Sequence, residues 1–402
     1  MAWEDRGPMP EPAHPFDDVS LERLRRRRTA KWSRYGPDVL PMWVAEMDFA
    51  VAPAVRRAIV DAVDREEFGY PVADEESGLP RAVADWELAR HGWRIDPGRV
   101  HLLPDVLKGV EVAIERFSPE GSAVILPTPA YMPFFEVPTI VHRPIIEVPT
   151  LVDGGTRHLD CAGIDAAFRR GAGTVVLCQP YNPLGRSFSV AEMEQLAEVV
   201  DRHGGRVISD EVHAPLTYPG GRHVPYASIS ARTAGHAVTV LSASKGWNLP
   251  GLKCAQLITS NDVDEERWRS MPPLKTYGAS TIGIQANLAA YRDGGSWLGE
   301  LVAYLDRSRR YLAELLAEHL PAVGYTPPEA TYLAWLDFRP LDLGTEPADF
   351  FLEHAGVATN PGPAFGGDGA GHVRFNFATS REILRRAVLA MAAAVAGRGG
   401  HR

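Results

Sequence analysis

The sequence predicts an α/β fold: a mostly parallel sheet covered by helices, followed by a smaller α+β unit. Three observations lead there. Seven short apolar runs alternate with helical stretches over roughly the first two thirds of the chain. Several runs are apolar on both faces, as in strands buried between helix layers. Polar residues able to do chemistry then follow the runs, where open α/β sheets bind ligands.

The elements come in order. The first 48 residues are rich in proline, arginine and aromatics and lack sustained periodicity, so they read as an arm packed on the rest. The arm ends at Leu40-Pro-Met-Trp43-Val-Ala45-Glu46-Met-Asp48. An amphipathic helix starts at Pro53, with Val55, Ala58, Ile59, Ala62 and Val63 on one face and proline in its first turn. Strands are expected at 100–103, 123–126, 139–148, 174–178, 206–209, 237–241 and 254–258. A helix-rich stretch from Ile282 to about Leu320 leads to a C-terminal unit with strands at 331–338 and 372–377 and a closing helix from Arg381. The expected division is an arm (1–48), a large domain (49–285) and a small domain (286–402).

A chain of 402 residues can bury one large core or two. Its 45% hydrophobic and 23% charged content is ordinary for a soluble enzyme. A net charge of −9 without a basic surface argues against a nucleic-acid partner. The basic run Arg25–Arg28 fits a charged helix face. Three scattered cysteines (Cys161, Cys178, Cys254) exclude a disulfide framework or zinc knuckle and fit a reducing cytoplasm, and no metal is expected. No apolar stretch would span a bilayer, and the start Met1-Ala-Trp-Glu-Asp-Arg-Gly-Pro8 lacks the apolar core of a signal peptide. A cytoplasmic protein is expected.

The most informative stretch is Ser242-Ala-Ser244-Lys245-Gly-Trp-Asn-Leu-Pro-Gly251-Leu-Lys253, which follows the 237–241 run. A lysine there, among small hydroxyl residues, suits a carbonyl cofactor held as a Schiff base, with the serines and Lys253 for its phosphate. Asp210 ends another run; a carboxylate against a pyridine nitrogen keeps that nitrogen protonated. Asn182 could donate to a ring oxygen, and Tyr131 offers a flat face for stacking. The Val106 and Leu107 amides, at a helix start, could meet a phosphate. Arg374 carries a planar fork for a carboxylate. Singly, each has a plain structural reading as cap, turn, packing aromatic or surface ion pair. The composite site rests on shared placement, since Asp105, Asn182, Asp210 and Lys245 each follow a run.

Together these residues resemble the fold-type I pyridoxal-phosphate enzymes, the class I/II aminotransferase superfamily, over nearly the whole chain. The resemblance implies an aspartate-aminotransferase-like fold whose large domain holds a seven-stranded, mostly parallel sheet. It implies pyridoxal 5'-phosphate as cofactor, with Lys245 as Schiff-base lysine, Asp210 at the ring nitrogen and Asn182 at the ring hydroxyl. Tyr131 would stack on the ring, while Ser242, Ser244, Lys253 and the Val106 and Leu107 amides would hold the phosphate. An amino-acid substrate would meet Arg374, Asn182, Trp43, Ala45 and Tyr181. Phe68-Gly-Tyr70 looks like the segment whose tyrosine reaches the phosphate of the other subunit, implying a homodimer with sites at the interface.

Within the superfamily the chain resembles the MalY/PatB-like cystathionine β-lyase (C–S lyase) group. The strings that carry this are Lys31-Trp32…Tyr35-Gly36, Leu40 to Phe49, Ser209-Asp-Glu-Val-His213, Asn248 to Cys254 and Arg374-Phe-Asn-Phe-Ala378. His213 stands where aminotransferases usually bring a tyrosine to the ring oxygen. The group implies α,β-elimination from an S-substituted L-cysteine to a thiol, pyruvate and ammonia. An aminotransferase remains an alternative, as does a pathway enzyme acting on a bulky S-conjugate by elimination or by decarboxylation with oxidative deamination. A regulatory role, precedented in the group, would need a partner. Three departures stand out: Glu46 replaces the aspartate of Ala-Asp-Met-Asp, Tyr181 replaces the histidine of Pro-His-Asn-Pro, and Asp105 replaces a glycine beside the phosphate, with Lys108 following. Glu46 and Tyr181 are expected near the substrate pocket.

Overall fold

The computed structural model describes residues 14–398; the N-terminal stretch inspected for a signal peptide and the last four residues lie outside them. Seven strands form the main sheet: β1 (Val100–Leu103), β2 (Ala123–Thr128), β3 (Ile145–Pro149), β4 (Ala172–Cys178), β5 (Arg206–Asp210), β6 (Ala237–Leu241) and β7 (Ala255–Thr259). Their order is β1-β7-β6-β5-β4-β2-β3. From β6 to β3 all neighbours are parallel, whereas β7 is antiparallel to both β6 and β1. Every residue of β1, β2, β6 and β7 is buried, which is why these runs carry apolar residues on both faces.

One expected strand is corrected. Of the run 139–148, Thr139 and Ile140 close the helix Pro133–Ile140, and the strand starts only at Ile145. Proline in the first turn of that helix, His142 at φ 54° and Pro144 break the run into helix, turn and strand.

The parallel strands end level, with Cys178 and Val240 both opposite Asp210. The loops after β4, β5 and β6 therefore open along one edge of the sheet. The helix Val106–Phe117 reaches the same edge because Gly109 lets it pack closely. A Cβ at Gly109 would lie 2.8 Å from Val240 Cγ1 and 3.2 Å from Leu103 Cδ1.

Beyond the long helices Thr281–Asp293 and Gly295–His319 lie β8 (Gly324–Tyr325), β9 (Leu333–Asp337), β10 (Asn360–Pro361) and β11 (His372–Asn376), an antiparallel sheet ordered β8-β9-β11-β10, and the closing helix Arg381–Arg398. The expected division at 285/286 falls inside helix Thr281–Asp293, which packs on helices Pro53–Asp64 and Leu79–His91. Leu40 and Pro41 pair in parallel with Val357 and Ala358, tying the arm to this region. The arm is pinned further by Lys31 and Asp48, an ion pair at 2.9 Å with both side chains at most 1% exposed. Of the Arg25–Arg28 run, Arg27 turns inward and donates to the Asp48 carbonyl at 2.8 Å. Among the described residues no helix is long and apolar enough to cross a membrane, and the three cysteines are free.

Candidate active site

A cavity of about 250 Å³ opens at the level ends of the strands. Asn182, Asp210, His213, Ser242, Ser244 and Lys245 line it from the sheet side, Asp105, Val106, Leu107 and Lys253 from one end, and Tyr131 and Ala45 also line it.

Lys245 lies in the single turn Ala243–Gly246 after β6, and its Nζ donates to the Ala45 carbonyl at 3.0 Å. Burial disfavours its charge, Arg374 adds to that, and Asp210 and Glu46 oppose, leaving a pKa of about 8. Asp210, buried at the end of β5, shifts the other way. Burial lifts its pKa to about 7 against the Val212 N–H at 3.1 Å and the charge of Lys245. The cavity thus holds an acid and an amine that both exchange protons near neutral pH. A cation placed against Asp210 would restore the carboxylate. The next residue, Glu211, turns to other partners: Ser209 Oγ, the Tyr226 N–H and His223 Nε2, all within 3.0 Å. Those bonds fix the turn that carries Asp210.

Arg374 sits in β11, buried, with Asn360 and Trp335 opposite it on the flanking strands. It donates to Asn182 Oδ1 (3.1 Å), Asn360 Oδ1 (2.7 Å) and the Trp43 carbonyl (3.1 Å), and lies over the Phe365 ring. All three acceptors are neutral, and Nε is buried without a partner. Burial lowers its pKa to about 10. A guanidinium so placed lacks a counter-anion, which a substrate carboxylate would supply. His213 is buried edge-on to Tyr332, and Nδ1 has no partner. Burial, with the charges of Lys245 and Arg374, depresses its pKa and keeps the ring neutral.

At the other end, Val106 and Leu107 form the first turn of their helix, where N–H groups have no intrahelical acceptor. Ser242 Oγ donates to the Cys254 carbonyl (2.7 Å) and accepts from the Ser244 N–H (3.0 Å), shaping the turn before Lys245.

Other expected residues fall elsewhere. Tyr181 does not line the cavity: its ring packs on Phe188 and its hydroxyl donates to the Pro127 carbonyl, so it is a core residue. Trp43 contributes its carbonyl to Arg374, while its ring packs against Tyr35 and Arg34. Glu46 acts on Lys245 by charge, and its carboxylate accepts from Thr29 Oγ1 at 2.8 Å. Tyr70 is 89% exposed beside Tyr277. Lys108 pairs with Glu111 along its helix.

Residues without an assigned role also matter. Asn248 brackets Met47, accepting from its N–H and donating to its carbonyl, both at 2.9 Å. Asn376 donates to the Val44 and Glu46 carbonyls, and Tyr332 joins Lys245 on the Ala45 carbonyl. Asn360 orients Arg374. Asn248 opens one of the strings that carry the family resemblance, and it stands at φ 60°, a conformation this side chain tolerates.

The donor set fits pyridoxal 5'-phosphate. An amine, a carboxylate, free helix amides and a lysine line one cavity, and buried Nδ1 and Nε atoms beside it lack partners. Comparisons with known proteins agree. Residues 37–391 match the model of the family "Aminotransferase class I and II". The cystathionine β-lyase of Corynebacterium glutamicum is 40% identical over 364 residues, covering 90% of this chain and 96% of the relative. A crystal structure from Corynebacterium diphtheriae, described as a candidate PLP-dependent β-cystathionase, superposes with TM-score 0.90 at 44% identity, over 94% of this chain and 98% of that one. A PLP-bound C–S lyase from Staphylococcus hominis gives 0.87 at 26% identity, over 94% and 98%. The fold is therefore the aspartate-aminotransferase-like fold of type I. The chain belongs to the class I and II aminotransferase family, in its cystathionine β-lyase group.

Proposed function

We propose that this protein is a pyridoxal-phosphate-dependent carbon–sulfur β-lyase, which converts an S-substituted L-cysteine and water into a thiol, pyruvate and ammonia. The observation that carries the reading is that Lys245 and Asp210 line one cavity together with Asn182, which accepts from the buried guanidinium of Arg374, whose Nε has no partner. Bound there, the cofactor would supply an aldehyde that condenses with amines and a ring that draws electrons from Cα.

The chain's own residues do the rest. Arg374 and Asn182 would grip the substrate carboxylate and so fix Cα against Lys245. Lys245, with a pKa of about 8, is partly uncharged near neutral pH and can take the Cα proton, while the Ala45 carbonyl aims Nζ. Asp210 would hold the ring nitrogen protonated, Asn182 would donate to the ring hydroxyl, and Tyr131 would lie against the ring. Val106, Leu107, Lys253 and the serines would hold the phosphate. His213 presents a neutral imidazole where a transaminase would present a phenol, which favours elimination.

We further propose a homodimer in which exposed Tyr70 reaches the partner's cofactor, a division into arm, large and small domains, and action in a reducing cytoplasm. The exposure of Tyr70 beside Tyr277 supports its reach to a partner subunit, and the three free cysteines fit a reducing compartment. The test incubates the purified protein with L-cystathionine, and separately with an S-alkyl cysteine, without any keto acid. Stoichiometric pyruvate, ammonia and thiol are expected. Amino transfer that appears only with an added keto acid would replace the lyase reading by the aminotransferase one.

A further inference from the structure

Asp105 occupies the phosphate end of the cavity with both carboxylate oxygens engaged. Oδ1 accepts from the Lys108 N–H at 2.8 Å, capping the helix Val106–Phe117. Oδ2 accepts from Lys253 Nζ, also at 2.8 Å. Lys253 is the cation that lines this end, held at φ 50° in the left-handed region.

We propose that Asp105 is an internal competitor for the cofactor's phosphate: it pairs with Lys253, the cation a phosphate would meet there, and sets how tightly, and how salt-sensitively, the cofactor binds. The proposal rests on the reading of this cavity as a pyridoxal-phosphate site. A helix N-terminus with one neighbouring lysine favours one anion, and here the chain supplies one of its own. An arriving phosphate takes over Lys253 and then lies beside a second negative charge. The pair can open cheaply, since the Lys253 and Asp105 side chains are 58% and 38% exposed. The Val106 and Leu107 amides stay free for phosphate, because the cap uses the Lys108 amide instead.

The test strips cofactor from the full-length protein and titrates it with pyridoxal 5'-phosphate, at low and high salt, by imine absorbance and equilibrium dialysis. D105N keeps a good capping group and removes the charge; D105S does the same with a hydroxyl should D105N fold poorly. Both variants should bind the cofactor roughly tenfold more tightly than wild type at low salt, the size of one charge-assisted contact. The gap should shrink at high salt. Pyridoxal, which lacks the phosphate, should bind wild type and variants alike. Unchanged or weaker affinity in both variants would overturn the proposal, and so would an equal gain with pyridoxal. A wild-type protein that takes up no cofactor at all would instead overturn the reading of the cavity itself.

Discussion

The sheet side and the arm side of the cavity reach Lys245 by different means. On the sheet side Asn182, Asp210 and Lys245 follow strands whose ends a backbone ladder holds level, with Cys178 and Val240 opposite Asp210. On the arm side, residues 42–48 contain no strand or helix, and side chains grip their main chain one contact at a time. Asn248 holds Met47, Asn376 holds Val44 and Glu46, Arg374 holds Trp43, and Tyr332 and Lys245 share the Ala45 carbonyl. The sheet side can therefore lose a reactive side chain and keep its frame. On the arm side, losing a side chain moves the frame.

Lys245→Ala puts the first half of that contrast at risk. Turnover should fall by at least about 10⁴-fold, because the variant loses both cofactor anchor and base. The imine absorbance band should vanish while the urea midpoint stays level or rises, since a buried amine is removed. A several-kilocalorie loss of stability would mean that the sheet side depends on this side chain for its frame. Asp48→Asn tests the second half. It leaves Lys31 fully buried without its counter-charge, at a cost of roughly 3–5 kcal/mol in urea unfolding. Activity should fall as well, although Asp48 is not among the residues lining the cavity, because the arm carries the Ala45 carbonyl.

A third test uses pH. With the cofactor removed, burial holds the Asp210 pKa at about 7, above its ordinary 3.8. Folded protein then keeps a proton that the unfolded chain gives up, so the stabilising contribution is complete below about pH 4 and is lost as pH rises through 7. Asp210→Asn, which cannot ionise, should gain on wild type by roughly 2–4 kcal/mol between pH 4 and 8. A flat difference would show that Asp210 stays ionised in the cofactor-free protein. The sheet side would then carry no burial cost of this kind.

The same contrast explains what could be read from sequence. Lys245, Asp210 and Asn182 were legible because each lies within a few residues of an apolar run, and such runs are local signals. The run 139–148 misled because Thr139 and Ile140 look like strand residues, yet proline at 133 starts a helix through them. Tyr181 is one residue from Asn182 and still turns into the core; adjacency in a loop does not say which way a side chain faces. Ala45 is legible from the family resemblance alone, since its contacts to Lys245 and Tyr332 run through a carbonyl, which every residue has. Asn360, in an Asn-Pro step, reads as a turn. Its bond to Arg374 spans 14 residues and depends on how β10 pairs with β11.

The smallest expected effect tests the arm most directly. Asn248 stands at φ 60° with its amide on both polar atoms of Met47. Asn248→Gly keeps that backbone conformation and deletes the two bonds, which should cost about 1–2 kcal/mol. Asn248→Ala deletes the same bonds and adds the left-handed penalty of a Cβ, about 1 kcal/mol more. The difference between the variants measures strain, and the loss in the glycine variant measures the grip. If the grip aims Lys245 through Ala45, the glycine variant should also lower kcat at unchanged cofactor affinity. A glycine variant as stable and active as wild type would leave Lys31, Asp48 and Asn376 holding the arm without Asn248, and the arm side would be less finely balanced than its contacts indicate.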